Sequence, residues 1–162
     1  VSLWDATEVE KIDEKDVALI GALHKNSRES LVNLSADVGL SVDAVSKRMK
    51  KLEASGVIRF YDADVDYGAL GFEKYKMFVY VGDYSADIEG RLFEFLRGQK
   101  NAINVVRMIG PWKLEVEFLI EKHEIFEKVL SEMQAKFGDV IQKLDFSIFK
   151  NEVWFPAKEM VE

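Results

Sequence analysis

The stretch from Ser30 to Ile58, SLVNLSADVGLSVDAVSKRMKKLEASGVI, constrains the fold more than any other part of the chain. Two short segments with helical apolar spacing are each preceded by a serine, Ser30 and Ser41, and serine is a preferred N-cap residue. Between them, Gly39 stands where a helix commonly ends in a left-handed C-cap. The pattern predicts a helix, a tight turn and a second helix, which is the helix-turn-helix arrangement whose second helix lies in the DNA major groove.

The second predicted helix carries cations between its apolar residues. The apolar stripe should face the rest of the domain, so most cations should face outward, where they can neutralise phosphates. The cations are Lys47, Arg48, Lys50 and Lys51, and the stripe is Val45, Met49 and Leu52. The alternative is a solvated helix face, because cations near a helix C-terminus are favourable for the helix dipole alone.

Composition excludes several classes of site. The chain has 162 residues, of which 48% are hydrophobic and 12% aromatic, so it can build a packed core. It has no cysteine and only two histidines, which excludes disulfides and thiolate metal sites and disfavours a histidine-based one. No apolar run has membrane-spanning length, and no charged-then-apolar leader precedes the fold. These features predict a cytoplasmic protein without a cofactor or a membrane partner.

The charge is unevenly distributed along the chain. The formal net charge is −7, yet residues 11–60 hold nine Lys and Arg against seven Asp and Glu. Residues 61–162 hold thirteen against nineteen, and residues 1–10 add three acidic residues. An acidic remainder repels DNA, so binding should be confined to the weakly basic part, with modest affinity and a need for dimers.

Another amphipathic helix precedes the motif. Asp13 can cap a helix that runs to about Lys25, with Val17, Ile20 and Leu23 on its inner side. It completes a predicted three-helix DNA-binding domain over residues 11–58.

Two segments flank this domain. Residues 1–10 form an acidic extension, with Leu3 and Trp4 as candidate anchors. Residues 59–74 form a connector, in which Arg59 to Asp66 alternates apolar and polar residues as an exposed strand does.

The second half of the chain, residues 75–162, has the pattern of an antiparallel sheet with helices. The predicted elements are a strand Lys76–Val81, a helix from Ser85, strands Asn104–Ile109 and Leu114–Ile120, a helix Glu124–Phe137 and a strand Leu144–Phe149. This βαββαβ order is ferredoxin-like, with two helices on one face of a four-stranded sheet. The other face also carries apolar residues, so a second copy of the sheet should cover it and the protein should be a dimer. The predicted fold class is therefore α+β.

The chain resembles the leucine-responsive regulator/asparagine regulator (Lrp/AsnC) family. The resemblance is carried by KIDEKDVALIGALHKNSR, LSADVGLSVDAVSKRMKKLEASGVI, VDYGALGF and IGPWKLEVEF, and it covers roughly residues 11–150. It implies a sequence-specific transcription regulator that binds double-stranded DNA as a homodimer, or as a tetramer or octamer, and that is not an enzyme.

The resemblance also implies DNA-contacting residues, which are Arg28, Ser41, Asp43, Ala44, Lys47, Arg48 and Lys51. Arg28 would contact a phosphate, and Arg48 matches a family arginine that is partly structural. Asp43 departs from a purely basic face. It can accept a hydrogen bond from cytosine, or it can disfavour nearby phosphate and so sharpen discrimination.

A second implied site is the loop Ile109-Gly110-Pro111-Trp112-Lys113, where members of the family bind an amino-acid effector. This chain has Lys113 where the family often has an acidic residue, and an ammonium suits a carboxylate better than an amino group. Pro111 also removes one backbone donor. The alternative is a simple hairpin turn in which Trp112 packs at an interface.

Two other functions share features with this reading. Tetrapyrrole decarboxylases of the haem pathway have the same layout, but the region VVRMIGPWKLEV lacks the histidine that such enzymes place there. An architectural DNA-binding protein would need many phosphate contacts, which the weakly basic domain disfavours. His24 and His123 have no ligand partner at metal-binding spacing and are expected on the surface. Trp154-Phe155-Pro156 is expected to pack against its own chain or between dimers.

Overall fold

A computed structural model describes residues 10–150 of the chain. The predictions for Leu3 and Trp4 and for Trp154-Phe155-Pro156 concern residues outside this range. The described helices are α1 (Glu14–Lys25), α2 (Leu31–Val38), α3 (Val42–Ala54), α4 (Ala86–Arg97) and α5 (His123–Phe137). The strands are β1 (Glu73–Val81), β2 (Ala102–Arg107), β3 (Leu114–Ile120) and β4 (Ile141–Ile148). The described residues form two compact units, a head unit that ends at Asp64 and a second unit that begins at Val65.

The predicted caps of the head unit are confirmed. The Ser30 hydroxyl accepts a hydrogen bond from the backbone N–H of Asn33 at 3.1 Å, and the Ser41 hydroxyl accepts one from Ala44 at 3.3 Å. Gly39 has φ 64, which is the left-handed conformation that a residue without Cβ adopts at little cost. These local signals end α2 and begin α3 within a few residues, which produces the predicted tight turn.

The inner side of α1 differs from the prediction. Leu19 and Leu23 are buried there, whereas Val17 and Ile20 are only half-buried. The third buried residue of α1 is Asp16, at 2% exposure. The spacing of apolar residues alone does not predict the buried side of α1, because the carboxylate of Asp16 occupies one of its positions.

The core of the head unit joins all three helices. Its buried members are Leu19, Leu23, Leu34, Val38, Val45 and Leu52. Met49 packs against this cluster and is partly buried, so the predicted inner stripe of α3 is confirmed.

The connector is not a strand in this chain. Arg59 to Asp66 has no strand assignment, and the predicted strand is wrong for the single chain because a strand needs a partner for its backbone groups. The hydroxyl of Tyr61 donates a hydrogen bond to Glu53 Oε1 at 2.8 Å. The last residues of the predicted connector, Glu73 and Lys74, belong to β1 instead.

The second unit has the predicted ferredoxin-like fold, with strand order β2-β3-β1-β4 and every neighbouring pair antiparallel. β1 and β4 begin at Glu73 and Ile141, earlier than predicted, because ladder pairing continues into polar residues. β2 ends at Arg107, so Ile109 lies in the following loop. The α+β fold class is confirmed.

The two faces of the sheet differ. One face packs against α4 and α5 and is fully buried at Met77, Val79, Val116 and Phe118. The other face, called the open face here, carries half-buried aromatic and charged residues, which are Lys76, Phe78, Tyr80, Trp112, Glu115 and Glu117. None of the described helices is long and apolar enough to cross a membrane.

Candidate nucleic-acid interface

The surface of α3 is set by its buried stripe. Val45 and Leu52 are fully buried, so they face the rest of the head unit. Because an α-helix turns by about 100° per residue, the opposite side carries the residues furthest from that stripe. This side, called the outward face of α3, carries Asp43, Lys47 and Lys50, and Lys51 lies at its edge towards Arg48; all of these except Arg48 are exposed.

Arg48 lies on the flank of α3 that faces α1. Its Nη1 is 2.8 Å from Asp13 Oδ1 and 2.6 Å from Asp16 Oδ1, and its side chain is 29% exposed. The same Asp13 carboxylate accepts the backbone N–H of Asp16 at 2.9 Å, which is one half of a capping box at the start of α1. Arg48 therefore ties α3 to the N-terminal end of α1, and its guanidinium is engaged within the head unit.

The protonation equilibria reflect these contacts. The backbone N–H of Asp16, and then Arg48, lower the pKa of the Asp13 carboxyl below its ordinary value. Asp16, and then Asp13, raise the pKa of the Arg48 guanidinium. Both shifts favour the charged forms, so the pair is fully ionised at neutral pH.

Lys51 is also partly engaged. Its Nζ is 2.9 Å from Glu10 Oε1 and donates to the carbonyl of Lys11 at 3.3 Å. The hydrogen bond with Glu10 raises the pKa of the Lys51 ammonium. Since its side chain is 53% exposed, this ion pair is solvated and a phosphate can compete for the cation.

Lys47 and Lys50 differ from their neighbours. Both are exposed, and neither forms an ion pair with any residue from 10 to 150. Lys50 was absent from the predicted contacts although it belongs to the basic cluster. A helical wheel drawn from Val45 and Leu52 would have found it, since it lies on the side opposite this stripe.

The other predicted contacts are near the start of α3 and before α2. The Ser41 hydroxyl oxygen caps α3, and Ala44 is half-buried beside it. Asp43 is exposed and accepts no hydrogen bond from the described residues. Arg28 is exposed between α1 and α2, where its backbone N–H donates to Asn26 Oδ1 at 3.1 Å.

The β2–β3 loop forms a closed hairpin. The Met108 N–H donates to the carbonyl of Lys113 at 2.8 Å, and the Lys113 N–H donates to the carbonyl of Val79 at 2.8 Å. The Lys113 ammonium folds back onto the Gly110 carbonyl at 3.3 Å. Pro111 is exposed and Ile109 is fully exposed at the tip.

Trp112 leaves this loop and joins the open face. Its ring centroid is 5.0 Å from that of Phe78 and 6.0 Å from that of Tyr80. The indole Nε1 is buried and has no acceptor among the described residues. The five loop residues therefore do not converge on one cavity within a single chain.

Comparison with known proteins decides the family. A model of the AsnC-type helix-turn-helix domain matches residues 12–53. An uncharacterized HTH-type transcriptional regulator of Pyrococcus abyssi is 34% identical over 106 residues, which span 65% of this chain and 68% of that protein. The chain belongs to the Lrp/AsnC family. It is a helix-turn-helix, DNA-binding transcription regulator.

Solved Lrp/AsnC structures share the whole fold. AsnC of Escherichia coli superimposes with a TM-score of 0.74 at 18% identity, covering 93% of this chain and 99% of that one. A transcriptional regulator of Neisseria meningitidis in complex with L-Met gives a TM-score of 0.76 at 18% identity, covering 91% and 95%. The family is one of transcription regulators, so these comparisons do not favour the decarboxylase alternative.

Proposed function

We propose that this Lrp/AsnC regulator reads double-stranded DNA with the outward face of α3, as a sequence-specific dimer or higher oligomer in the cytoplasm. The observation that carries the proposal is the pair Lys47 and Lys50, exposed and without an ion pair among the described residues, on the side opposite the buried stripe. They supply phosphate contacts, and Arg28 supplies another from the loop before α2. Ser41, Asp43 and Ala44 begin the helix, where recognition helices contact base edges.

Arg48 has a different role in this proposal. Because its guanidinium is held by Asp13 and Asp16, it positions α3 and does not lead the contact with DNA. Lys51 is intermediate, since DNA must compete with Glu10 for its ammonium. The strongest phosphate contacts are therefore assigned to the two unpaired lysines of α3.

The dimer supplies two such heads. The open face of the sheet presents Phe78, Tyr80 and Trp112, and a second copy would exclude water from these rings and offer an acceptor to the Trp112 indole N–H. The Lys76 ammonium lies 2.5 Å from Glu115 and 3.2 Å from Glu117 and offsets one of these two charges, which lowers the cost of covering this face. The two heads would then enter successive major grooves about one helical turn apart.

The functional boundaries follow from this division of labour. The proposed DNA-binding domain is 11–58, the connector is 59–74, and the dimerisation domain is 75–162, behind an extension at 1–10. The connector carries exposed Phe60, Tyr61 and Val65, and a second chain would supply the strand pairing that residues 10–150 do not provide.

A small-molecule effector at the β2–β3 loop is a finer part of the proposal. The regulator of Neisseria meningitidis was solved with L-Met, and the corresponding ligand here would be an amino acid or a related carboxylate. The Lys113 ammonium, which donates only to Gly110 among the described residues, would hold the carboxylate. Calorimetric titration with the proteinogenic amino acids tests this part, and heats unchanged by Lys113→Ala would contradict the assignment.

The main test removes the two unpaired cations. In the Lys47→Ala/Lys50→Ala variant, each dimer loses up to four phosphate contacts, and the slope of log K against log salt should become shallower by up to about 3.6. The control is Lys100→Ala/Lys122→Ala, which removes the same charge from exposed positions of the second unit. Equal salt slopes for the two double variants would show that α3 is not the DNA-contacting helix.

A further inference from the structure

We infer that Asp43 selects the operator sequence by accepting a hydrogen bond from the N4 amino group of a cytosine in each half-site. This inference rests on the proposed function, since it requires the outward face of α3 to enter the major groove. It adds the identity of one base to a surface that the proposal defines only as DNA-contacting.

The placement of Asp43 supports a role outside the head unit. It lies in the first turn of α3, it is exposed, and its side chain bonds to none of the described residues. Ser41 already caps this helix, so Asp43 is not needed as the N-cap. The carboxylate is therefore available at the end of the helix that contacts base edges in helix-turn-helix proteins.

The chemistry of a carboxylate restricts which base it can accept from. An ionised Asp is an acceptor only. Guanine and thymine present acceptors in the major groove, which repel it, and adenine presents its N6 donor beside the N7 acceptor. Cytosine presents the N4 donor and has no acceptor on its own major-groove edge, so it is the base that a carboxylate prefers.

Lys47 makes this carboxylate tolerable near DNA. It follows Asp43 by four residues, so the two side chains lie on one side of the helix about 6 Å apart along its axis. The two side chains form no ion pair with each other and both are exposed. The carboxylate and the ammonium can therefore contact different groups of the DNA. The Lys47 ammonium offsets the repulsion between the Asp43 carboxylate and the phosphates. The carboxylate still needs a hydrogen-bond donor on the base.

The alternative role of Asp43 is electrostatic support of its own helix, because acidic residues in the first turn interact favourably with the helix dipole. This role would change folding or overall affinity equally for every DNA sequence. Base selection, in contrast, would change the preferred sequence at one position. The two roles can therefore be separated by comparing sequence preferences.

The experiment selects bound fragments from a random DNA pool with the full-length protein and with Asp43→Asn, Asp43→Ala and Glu14→Gln. Asparagine pairs with adenine N6 and N7, so Asp43→Asn should move one half-site position from cytosine to adenine, by at least about fivefold in relative affinity. Asp43→Ala should lose the preference at that position only. Glu14→Gln removes an exposed carboxylate from the first turn of α1, so it should leave the motif unchanged.

The outcomes distinguish failure of the inference about Asp43 from failure of the proposed function. A motif in the wild type that stays identical in both Asp43 variants overturns the inference and leaves the proposed function intact. Absence of any motif in the wild type overturns both. Circular dichroism of each variant confirms that altered binding does not come from unfolding, and the retained positions of the motif in Asp43→Ala serve as an internal check.

Discussion

Truncation of Leu52 to alanine should strongly destabilise the head unit, and so weaken DNA binding, while the second unit keeps its stability. Leu52 is fully buried on α3, in a core with six buried members. The core of the second unit is a separate cluster with sixteen buried members. The smaller core has less apolar burial to lose, so the head unit should be the first to unfold.

The magnitude follows from the burial. Removing three carbon atoms from a fully buried position forfeits about 2.4 kcal/mol of transfer free energy, at about 0.8 kcal/mol for each methylene. The cavity left behind brings typical Leu→Ala losses to about 2–5 kcal/mol. A unit of about 50 residues with ordinary stability has about 2.5–7.5 kcal/mol in total. The variant therefore loses between about a quarter and all of the stability of the head unit.

Thermal unfolding followed by far-UV circular dichroism measures this effect, because three of the five described helices belong to the head unit. The control is Leu92→Ala on α4, which makes the same chemical change at another fully buried position, in the second core. Leu52→Ala should lower the midpoint temperature of the first transition, that of the head unit, and leave the second unchanged. Leu92→Ala should lower the midpoint temperature of the second unit and leave that of the head unit unchanged. A single transition shifted equally by both variants, at one fixed protein concentration, would refute the reasoning that the two cores unfold separately.

Three further predictions concern the head unit. Glu10→Gln frees a lysine of α3, so DNA affinity should rise, more at low salt than at high salt, in a fluorescence-anisotropy titration. The pKa of the Asp13 carboxyl is lowered in the folded state, chiefly by the backbone N–H of Asp16. The ionised carboxylate therefore stabilises the head unit fully above the ordinary pKa of 3.8, and this stabilisation is lost as the pH falls through the lower pKa of the folded state. The melting temperature of the head unit should therefore fall below about pH 4, and less so in Asp13→Ala. Gly39→Ala forces a Cβ onto φ 64 and should cost about 1–2 kcal/mol, whereas Gly21→Ala in α1 meets no atom within 4 Å and should add up to about 1 kcal/mol, both read from urea unfolding.

The parts of the fold that were predicted correctly depend on local signals. Ser30, Gly39 and Ser41 each act through the backbone of a neighbouring turn, so a few residues of sequence are enough to place them. The strand β3 was predicted at its observed bounds because its alternating residues are buried on one side only. Periodicity and capping are properties of short segments, and a sequence displays them directly.

The features that were missed depend on partners far away in the sequence. Asp16 is buried because Arg48, 32 positions later, compensates its charge, and no local pattern distinguishes it from a surface aspartate. The connector has the alternation of a strand at Arg59 to Asp66, but no residue from 10 to 150 pairs with that segment as a strand. For the candidate site, the position of each cation on α3 could be derived from the sequence, whereas the division into paired and unpaired cations depends on carboxylates that are distant in the sequence.

The division of the α3 cations into paired and unpaired ones limits how strongly this acidic chain can bind DNA through charge alone. The basic cluster of α3 holds four cations, but Arg48 is bound by two carboxylates and Lys51 by a third, so only Lys47 and Lys50 are unpaired among the described residues of α3. Few phosphate contacts per head mean weak non-specific binding, since that term scales with the number of phosphates neutralised. Base contacts such as the one inferred for Asp43 would then supply a larger share of the total affinity. In the proposed dimer, binding of one head unit would raise the effective concentration of the second at the DNA, so two weak interactions would give strong binding without any further positive charge. On this proposal, selectivity between DNA sequences follows from having few unpaired cations on α3, and dimerisation would make so weakly basic a head unit sufficient.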